Sequence, residues 1–102
     1  MDGRARDKAA AERFGRNLRK ARHRAGFSQV ELGRRTLLHR THIGFMEKGE
    51  RLPRVDTLVK LTSALAVGTD ELLQGIGWVV PGPGTPGGFS VVPQSEAAGY
   101  AR

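Results

Sequence analysis

Apolar residues recur at helical spacing through the first three quarters of the chain. Positions three or four residues apart form two stripes, made of Phe14, Leu18, Ala21 and Ala25 and of Leu58, Leu61 and Leu65. Residues with this spacing share one face of a helix, so each stripe predicts a helix that packs on a core. With the capping signals described next, the pattern predicts five helices, at about residues 9–25, 29–36, 40–48, 55–65 and 69–74.

Polar and glycine residues mark the ends of these helices. Ser28 precedes the second helix, and Glu31 follows three residues later, which is the capping-box pattern. Three glycines stand where left-handed helix stops are expected, namely Gly26, Gly49 and Gly75. The second and third helices are therefore short and separated by a tight turn over residues 37–39.

The composition changes beyond Gly75. Residues 81–88 read PGPGTPGG, which suits neither a helix nor a central strand. Short apolar runs flank this segment at 78–80 and 89–92. We expect a mostly irregular tail, and the alternative is a loose β-hairpin. The predicted organisation is a flexible N-terminus at 1–8, a helical domain at 9–75 and the tail at 76–102.

Positive charge is concentrated in the first half of the chain. The net charge is +7, and 15 of the 17 Lys and Arg residues precede residue 55, against 6 of the 10 Asp and Glu residues. Such a distribution favours a surface that binds a polyanion. The chain has no cysteine, and we find no apolar run of transmembrane length and no secretory signal. We therefore expect a cytoplasmic, nucleoid-associated protein that does not bind a membrane.

Two short helices joined by a tight turn, with a basic second helix, are typical of a helix-turn-helix. Gly33 supplies the small residue that a steep helix crossing needs. The expected core contributions are Leu32, Leu38, Ile43 and Met46. The opposite face of the third helix then carries Arg40, Thr41, Gly44, Phe45 and Lys48. Phe45 becomes a core residue only if this helix is rotated.

The stretch SQVELGRRTLLHRTHIGFMEKGERLP, followed by DTLVKLTSALAVGTDELL, resembles the Cro/C1-type (XRE) family of DNA-binding domains. The resemblance covers about Phe14 to Leu73. It implies an all-α, five-helix Cro/C1-repressor-like DNA-binding domain, followed here by the irregular Pro/Gly-rich tail. It also implies a third helix that enters the major groove of double-stranded DNA.

The resemblance implies roles for individual residues. The positions matching base contacts are Arg40, Thr41, Gly44 and Phe45, and we add His39 as a further candidate. The positions matching phosphate contacts are Gln29, Lys48 and Arg51, and we add Ser28 beside Gln29. Arg22 and Glu47 match a partly buried salt bridge that ties the first helix to the recognition helix.

Several residues depart from the family pattern. Leu37 stands where a turn glycine is common, and His39 stands where a Ser or Thr cap is common, which weakens that cap. Gly44 has no side chain to read a base, and Phe45 offers only apolar contact. We therefore expect base reading to rest on Arg40, Thr41, His39 and His42, with Gln29 assisting.

The most plausible function is sequence-specific DNA binding by a homodimeric transcriptional regulator, a repressor in most such families. No nucleophile–base set and no phosphate loop appears, so we expect no enzyme and no cofactor. His39 and His42 have metal-ligand spacing but no further ligand nearby, so we expect no metal. The alternatives are the antitoxin of a toxin–antitoxin pair, with a protein partner bound through the C-terminal tail, and a protein-interaction module. Trp78 either folds back on the domain or anchors a dimer.

Overall fold

The computed structural model describes residues 3–92, with side chains from residue 7 onward. Its elements are α1 (Gly3–Ala25), α2 (Gln29–Thr36), α3 (Arg40–Glu47), α4 (Val55–Leu65), α5 (Thr69–Leu72), β1 (Ile76–Val79) and β2 (Gly88–Val91). The five-helix fold predicted from the sequence is confirmed, and α2 and α4 have the predicted bounds. Parts of the predicted N-terminal segment and tail, residues 1–2 and 93–102, lie outside the described residues.

One core connects all five helices. The largest buried side chains come from different elements and pack as one cluster, namely Phe14, Leu18, Leu32, Ile43, Met46, Leu61 and Leu72. Leu65 is also buried, and Leu58 packs against the cluster from its edge. Burying each of these large side chains contributes about 1.5–3 kcal/mol, so the core is what holds the short helices α2, α3 and α5 together.

Helix α1 begins at Gly3, earlier than the predicted start near Ala9. Ala10 and Ala11 are buried, so the first half of α1 also contributes to the interior. Phe89 of β2 lines a groove together with Ala11 and other residues of α1.

The segment after Gly75 forms the β-hairpin that the sequence offered as an alternative. Strands β1 and β2 pair antiparallel, with Trp78 opposite Phe89. Their rings meet edge to face with centroids 5.3 Å apart. An isolated two-stranded hairpin is only marginally stable in water, but this one packs β2 against α1. Trp78 stays on the outer side and is 59% exposed, so it does not fold back into the core.

The start of α2 is capped as expected. The hydroxyl Oγ of Ser28 accepts a hydrogen bond from the backbone N–H of Glu31 at 3.0 Å. The carboxylate of Glu31 lies against Arg34 and Arg35, one turn further along. The capping contact to Ser28 is therefore present, while the Glu31 side chain supports the exposed face of α2.

Candidate nucleic-acid interface

The crossing of α2 and α3 is a contact between backbones. A Cβ at Gly33 would lie 2.5 Å from the carbonyl oxygen of Leu38 and 3.3 Å from the backbone nitrogen of Arg40. The N–H of Leu38 donates to the carbonyl of Gly33 at 2.9 Å. Any side chain at position 33 would push the two helices apart. Gly33 therefore sets the distance between α2 and the start of α3, as the sequence predicted.

Leu37 makes the turn between the two helices in a left-handed conformation. Its φ is +57°, and its side chain is 87% exposed. A β-carbon in this region costs roughly 1–2 kcal/mol, and the exposed side chain recovers almost none of that by burial. The turn thus has the shape that a glycine would adopt, and it is strained by the leucine.

His39 caps α3 with its ring. The nitrogen Nδ1 accepts a hydrogen bond from the backbone N–H of Thr41 at 3.0 Å, while the His39 backbone is extended. The sequence predicts a weakened cap at this position because the usual hydroxyl is missing. The imidazole supplies the acceptor instead, which leaves the other ring nitrogen for a further hydrogen bond.

Helix α3 has an inner and an outer face. Ile43 and Met46 are buried, while Arg40, Thr41 and His42 are exposed. Phe45 is 50% exposed, so the helix is not rotated to place it in the core. Four of the five predicted base-contact residues, all except Gly44, are therefore exposed, three at the start of α3 and Phe45 one turn further on.

Gly44 lies beneath the side chain of Gln29. A Cβ at position 44 would meet the Gln29 amide oxygen and nitrogen at 3.7 and 3.8 Å, which is ordinary contact. The Gln29 Nε2 group also donates to Oε1 of Glu47 at 3.1 Å. Gln29 of α2 therefore lies over Gly44 on the outer surface of α3. A longer side chain at position 44 would occupy the space that Gln29 takes.

Arg22 and Glu47 join α1 to α3. Arg22 Nε and Nη2 donate to the two carboxylate oxygens of Glu47 at 2.6 and 2.9 Å, and its Nη1 donates to the carbonyl of Phe27 at 2.9 Å. Only 9% of the Arg22 side chain and 5% of the Glu47 side chain is exposed. The hydrogen bonds and the charge of Glu47 raise the pKa of Arg22, although burial opposes this. The guanidinium therefore stays charged and fixed.

The remaining predicted phosphate contacts flank this surface. Ser28 is exposed at the start of α2, and Lys48 and Arg51 are exposed at and after the end of α3. Arg51 borders a cleft of about 360 Å³ with His42 and Phe45. Lys48 also borders the groove between the end of α3 and α1. Basic and polar groups thus border the exposed face of α3, from the start of α2 and from the end of α3.

Three supporting residues were missed in the sequence. A Cβ at Gly15 would lie 2.5 Å from the carbonyl oxygens of Met46 and Glu47, so α1 and α3 approach as closely as α2 and α3 do. The guanidinium of Arg35 lies 4.3 Å from the ring centre of Phe27, a cation–π contact beside α2. The only available signal for Gly15 was a small residue within the α1 stripe, which is also compatible with a solvent-facing position.

The described residues also bear on metal binding and on membrane insertion. Within residues 3–92, no three His, Cys, Asp or Glu side chains gather in a way that would hold a metal ion. In the same range, no helix has both the length and the apolarity needed to cross a membrane.

A comparison with protein families matches a helix-turn-helix domain to residues 13–74, more than half of the chain. The chain belongs to the helix-turn-helix domain family. A curated relative, the HTH-type transcriptional regulator ImmR of Bacillus subtilis (strain 168), is 36% identical over 60 residues, which are 59% of this chain and 47% of ImmR. The chain therefore matches about half the length of that relative.

Solved structures share the fold of this helix-turn-helix protein. The restriction-modification controller protein C.AhdI of Aeromonas hydrophila is 34% identical, with a TM-score of 0.60 over 63% of this chain and 97% of its own. The hypothetical transcription factor NHTF of Neisseria is 28% identical, with a TM-score of 0.60 over 66% and 75%. The clp gene regulator ClgR of C. glutamicum, 22% identical with a TM-score of 0.60 over 63% and 82%, shows the fold alone.

These findings confirm the resemblance to Cro/C1-type regulators. ImmR is named a transcriptional regulator and C.AhdI a controller protein, so the relatives of this helix-turn-helix protein are regulators rather than enzymes. The prediction of a non-enzymatic protein is therefore confirmed.

Proposed function

We propose that this protein recognises a specific double-stranded DNA sequence by placing α3 in the major groove, and that it represses transcription as a homodimer. The observation that supports this most directly is the outer face of α3. Its first residues are exposed, basic and polar, while its inner face is held by buried side chains, a buried ion pair and a close backbone contact. A rigid helix with an exposed polar N-terminal half suits base reading.

Base reading falls mainly to Arg40 and Thr41. Arg40 is exposed at the first turn of α3, and its forked guanidinium can bond both acceptors of a guanine edge. Thr41 and the other ring nitrogen of His39 add shorter-range polar contacts. Phe45, half exposed one turn further on, offers apolar contact to a thymine methyl group. Gly44 serves by leaving room for Gln29.

Phosphate contacts fix the orientation of α3. Ser28 and Gln29 stand at the positive end of α2, where backbone N–H groups also attract an anion. The contact with Glu47 holds Gln29 in place, and its amide nitrogen carries a second N–H that can reach a phosphate. Lys48 and Arg51 follow at and after the end of α3, close to Glu47, which Gln29 contacts. These four contacts come from two helices and the following loop, and they define the register of α3 on the duplex without reading sequence.

A homodimer reads a longer DNA site than one recognition helix can. One recognition helix covers only a few base pairs, and two of them related by a two-fold axis read half-sites about one helical turn apart. A bound dimer of this kind represses when its site overlaps a promoter, because it excludes the transcription machinery from the same duplex.

Selection of bound duplexes from a random pool tests the proposal. We expect an enriched site with two-fold symmetry, and affinity that falls steeply with salt because several phosphates are neutralised. Arg40→Ala should weaken binding to that site by about 1–3 kcal/mol and relax one base position in each half-site. Gln29→Ala should weaken binding to all duplexes about equally. Lys60→Ala, an exposed change on α4, is the matched control.

Other outcomes distinguish the alternatives. No salt-dependent duplex binding would favour the protein-interaction module, and an asymmetric site would contradict the homodimer. The antitoxin alternative requires a toxin bound through residues 78–92, where the structure has a hairpin packed on α1. Co-purification of a small toxic protein that dissociates on disrupting this hairpin would support that alternative.

A further inference from the structure

A second basic site lies on α1, away from α3. It is a cleft of about 270 Å³ between α1 and α5. Its walls carry four cationic side chains, one carboxylate and two amides, namely Arg13, Arg16, Lys20, Arg24, Glu71, Asn17 and Gln74. We call this the α1–α5 cleft. The four cations lie within four turns of α1, and Glu71 of α5 reduces the net charge of the cleft to about three positive units.

The position of the cleft excludes it from the surface proposed for DNA. Gly15 of α1 touches the backbone at the end of α3, and Glu12 lies against Gly49 just beyond it. Arg13 and Asn17 instead bond the end of α5. Successive helix residues are rotated by about 100°, so these two sets stand on nearly opposite sides of α1. A duplex seated on α3 therefore leaves the cleft open.

Several donors in the cleft are held in place. Arg13 Nε donates to the carbonyl of Gln74 at 3.1 Å. Asn17 Nδ2 donates to the carbonyls of Leu72 and Gln74, both at 2.9 Å. Arg24 is paired with Glu71. The bond to Arg13 uses Nε alone, and the terminal nitrogens of a guanidinium carry four further N–H donors in a fixed fork.

We propose that the α1–α5 cleft binds a small phosphorylated anion, of the size of pyrophosphate or the phosphate tail of a nucleotide. Arginine forks match phosphate oxygens in geometry and charge. The cleft is concave and small, so it admits a phosphate group but not a duplex. The excess of cations over the one carboxylate favours a ligand with more than one negative charge.

Binding there would join two parts of the fold. Arg13 and Asn17 already connect α1 to the carbonyls at the end of α5, and the hairpin begins immediately after them. An anion held between the cations of α1 and the end of α5 stabilises this connection from outside. The protein would thereby respond to the concentration of a phosphorylated metabolite, independently of whether α3 is occupied.

Titration calorimetry of the full chain with pyrophosphate at low salt tests the site. We expect saturable binding of one pyrophosphate per chain and a rise in the melting temperature. The double variant Arg16→Gln with Lys20→Gln changes two exposed side chains and should weaken binding by about tenfold or more, since hydrogen bonds to charged groups are lost. Arg19→Gln, exposed on the same helix outside the cleft, is the matched control and should bind normally.

Further measurements separate the sources of binding. Amide NMR shifts should concentrate at residues 72–76, and duplex binding by the double variant should stay within twofold of the unchanged protein. Equal loss in Arg19→Gln, or weak binding without saturation, would show non-specific attraction to a basic protein and overturn the proposal. Loss of duplex binding in the double variant would make the cleft a DNA contact, which also overturns it. Because α3 is unchanged, failure here leaves the DNA-binding proposal standing.

Discussion

Replacing Glu47 by alanine should destabilise the domain more than any change to an exposed ion pair. Glu47 accepts two hydrogen bonds from Arg22 and one from Gln29. The Arg22 side chain is 9% exposed, so water reaches it poorly once its partner is gone. Glu47→Ala therefore leaves a charged guanidinium largely desolvated between α1 and α3.

The magnitude follows from what Arg22 loses and keeps. Removing one partner of a buried pair costs about 3–5 kcal/mol. Arg22 retains its bond to the carbonyl of Phe27, so we expect a smaller loss of about 2–4 kcal/mol. A loss of 1 kcal/mol lowers the melting temperature of a domain this size by about 4–8 °C. The melting temperature should thus fall by roughly 10 °C or more.

Thermal and urea unfolding of the full chain, followed by circular dichroism, measures this change. Glu31→Ala is the control, because Glu31 pairs with Arg35 at 32% and 50% side-chain exposure and should cost about 1 kcal/mol or less. Arg22→Met combined with Glu47→Leu should regain much of the stability, since no charge is left buried. If Glu47→Ala melts no lower than Glu31→Ala, the reasoning from burial is wrong.

The loss of stability caused by Glu47→Ala should stay the same as the pH rises from neutral to alkaline values. A raised folded-state pKa keeps the stabilisation by Arg22 complete below the unfolded guanidinium value, and loses it only as pH rises through the folded one. Both values lie above the range in which proteins are usually studied. The difference between Glu47→Ala and the unchanged protein should therefore be the same at about pH 7 and about pH 9, and a difference that shrinks would contradict the assignment.

The turn and caps of the helix-turn-helix allow three more tests by the same unfolding assays. Gly33→Ala should lower stability because its methyl group meets the carbonyl of Leu38, whereas Gly44→Ala has room and should gain up to about 1 kcal/mol from helix propensity. Leu37→Gly should leave stability unchanged or raise it by about 1 kcal/mol, because it relieves a left-handed leucine that is 87% exposed; a clear loss would show that the side chain packs. His39→Ala should cost about 1 kcal/mol by removing the acceptor at the start of α3, and His39→Ser should restore it.

The sequence predicted the elements whose signals are local. The bounds of α2 and α4 follow from Ser28, from the apolar spacing and from the loop that precedes Val55. The pairing of Arg22 with Glu47 was available through the family resemblance rather than through spacing, since 25 residues separate them. Local patterns and a resemblance together therefore reached most of the helical fold.

The features that the sequence did not predict depend on contacts between residues far apart in the chain, or on a choice between local conformations that the sequence favours equally. The start of α1 and the hairpin support each other across the chain, and neither is marked where it occurs. His39 lacks the usual capping hydroxyl, yet the orientation of its ring provides an acceptor that composition does not reveal. The position of Gln29 over Gly44 arises only when α2 and α3 cross. The roles of these residues on DNA remain predictions.

The close approaches at Gly15 and Gly33 have a consequence for how the sequence of this domain can evolve. Gly15 lies against the carbonyl oxygens of Met46 and Glu47 in α3, and Gly33 lies against the carbonyl oxygen of Leu38 just before α3, so both contacts use backbone atoms that every amino acid has. Apart from His39, whose ring caps α3, residues on the outer face can therefore be exchanged without altering these two contacts. Because backbone contacts position α3, this chain is a suitable starting point for designing new binding specificities, with α1 and α2 kept unchanged as the support for α3.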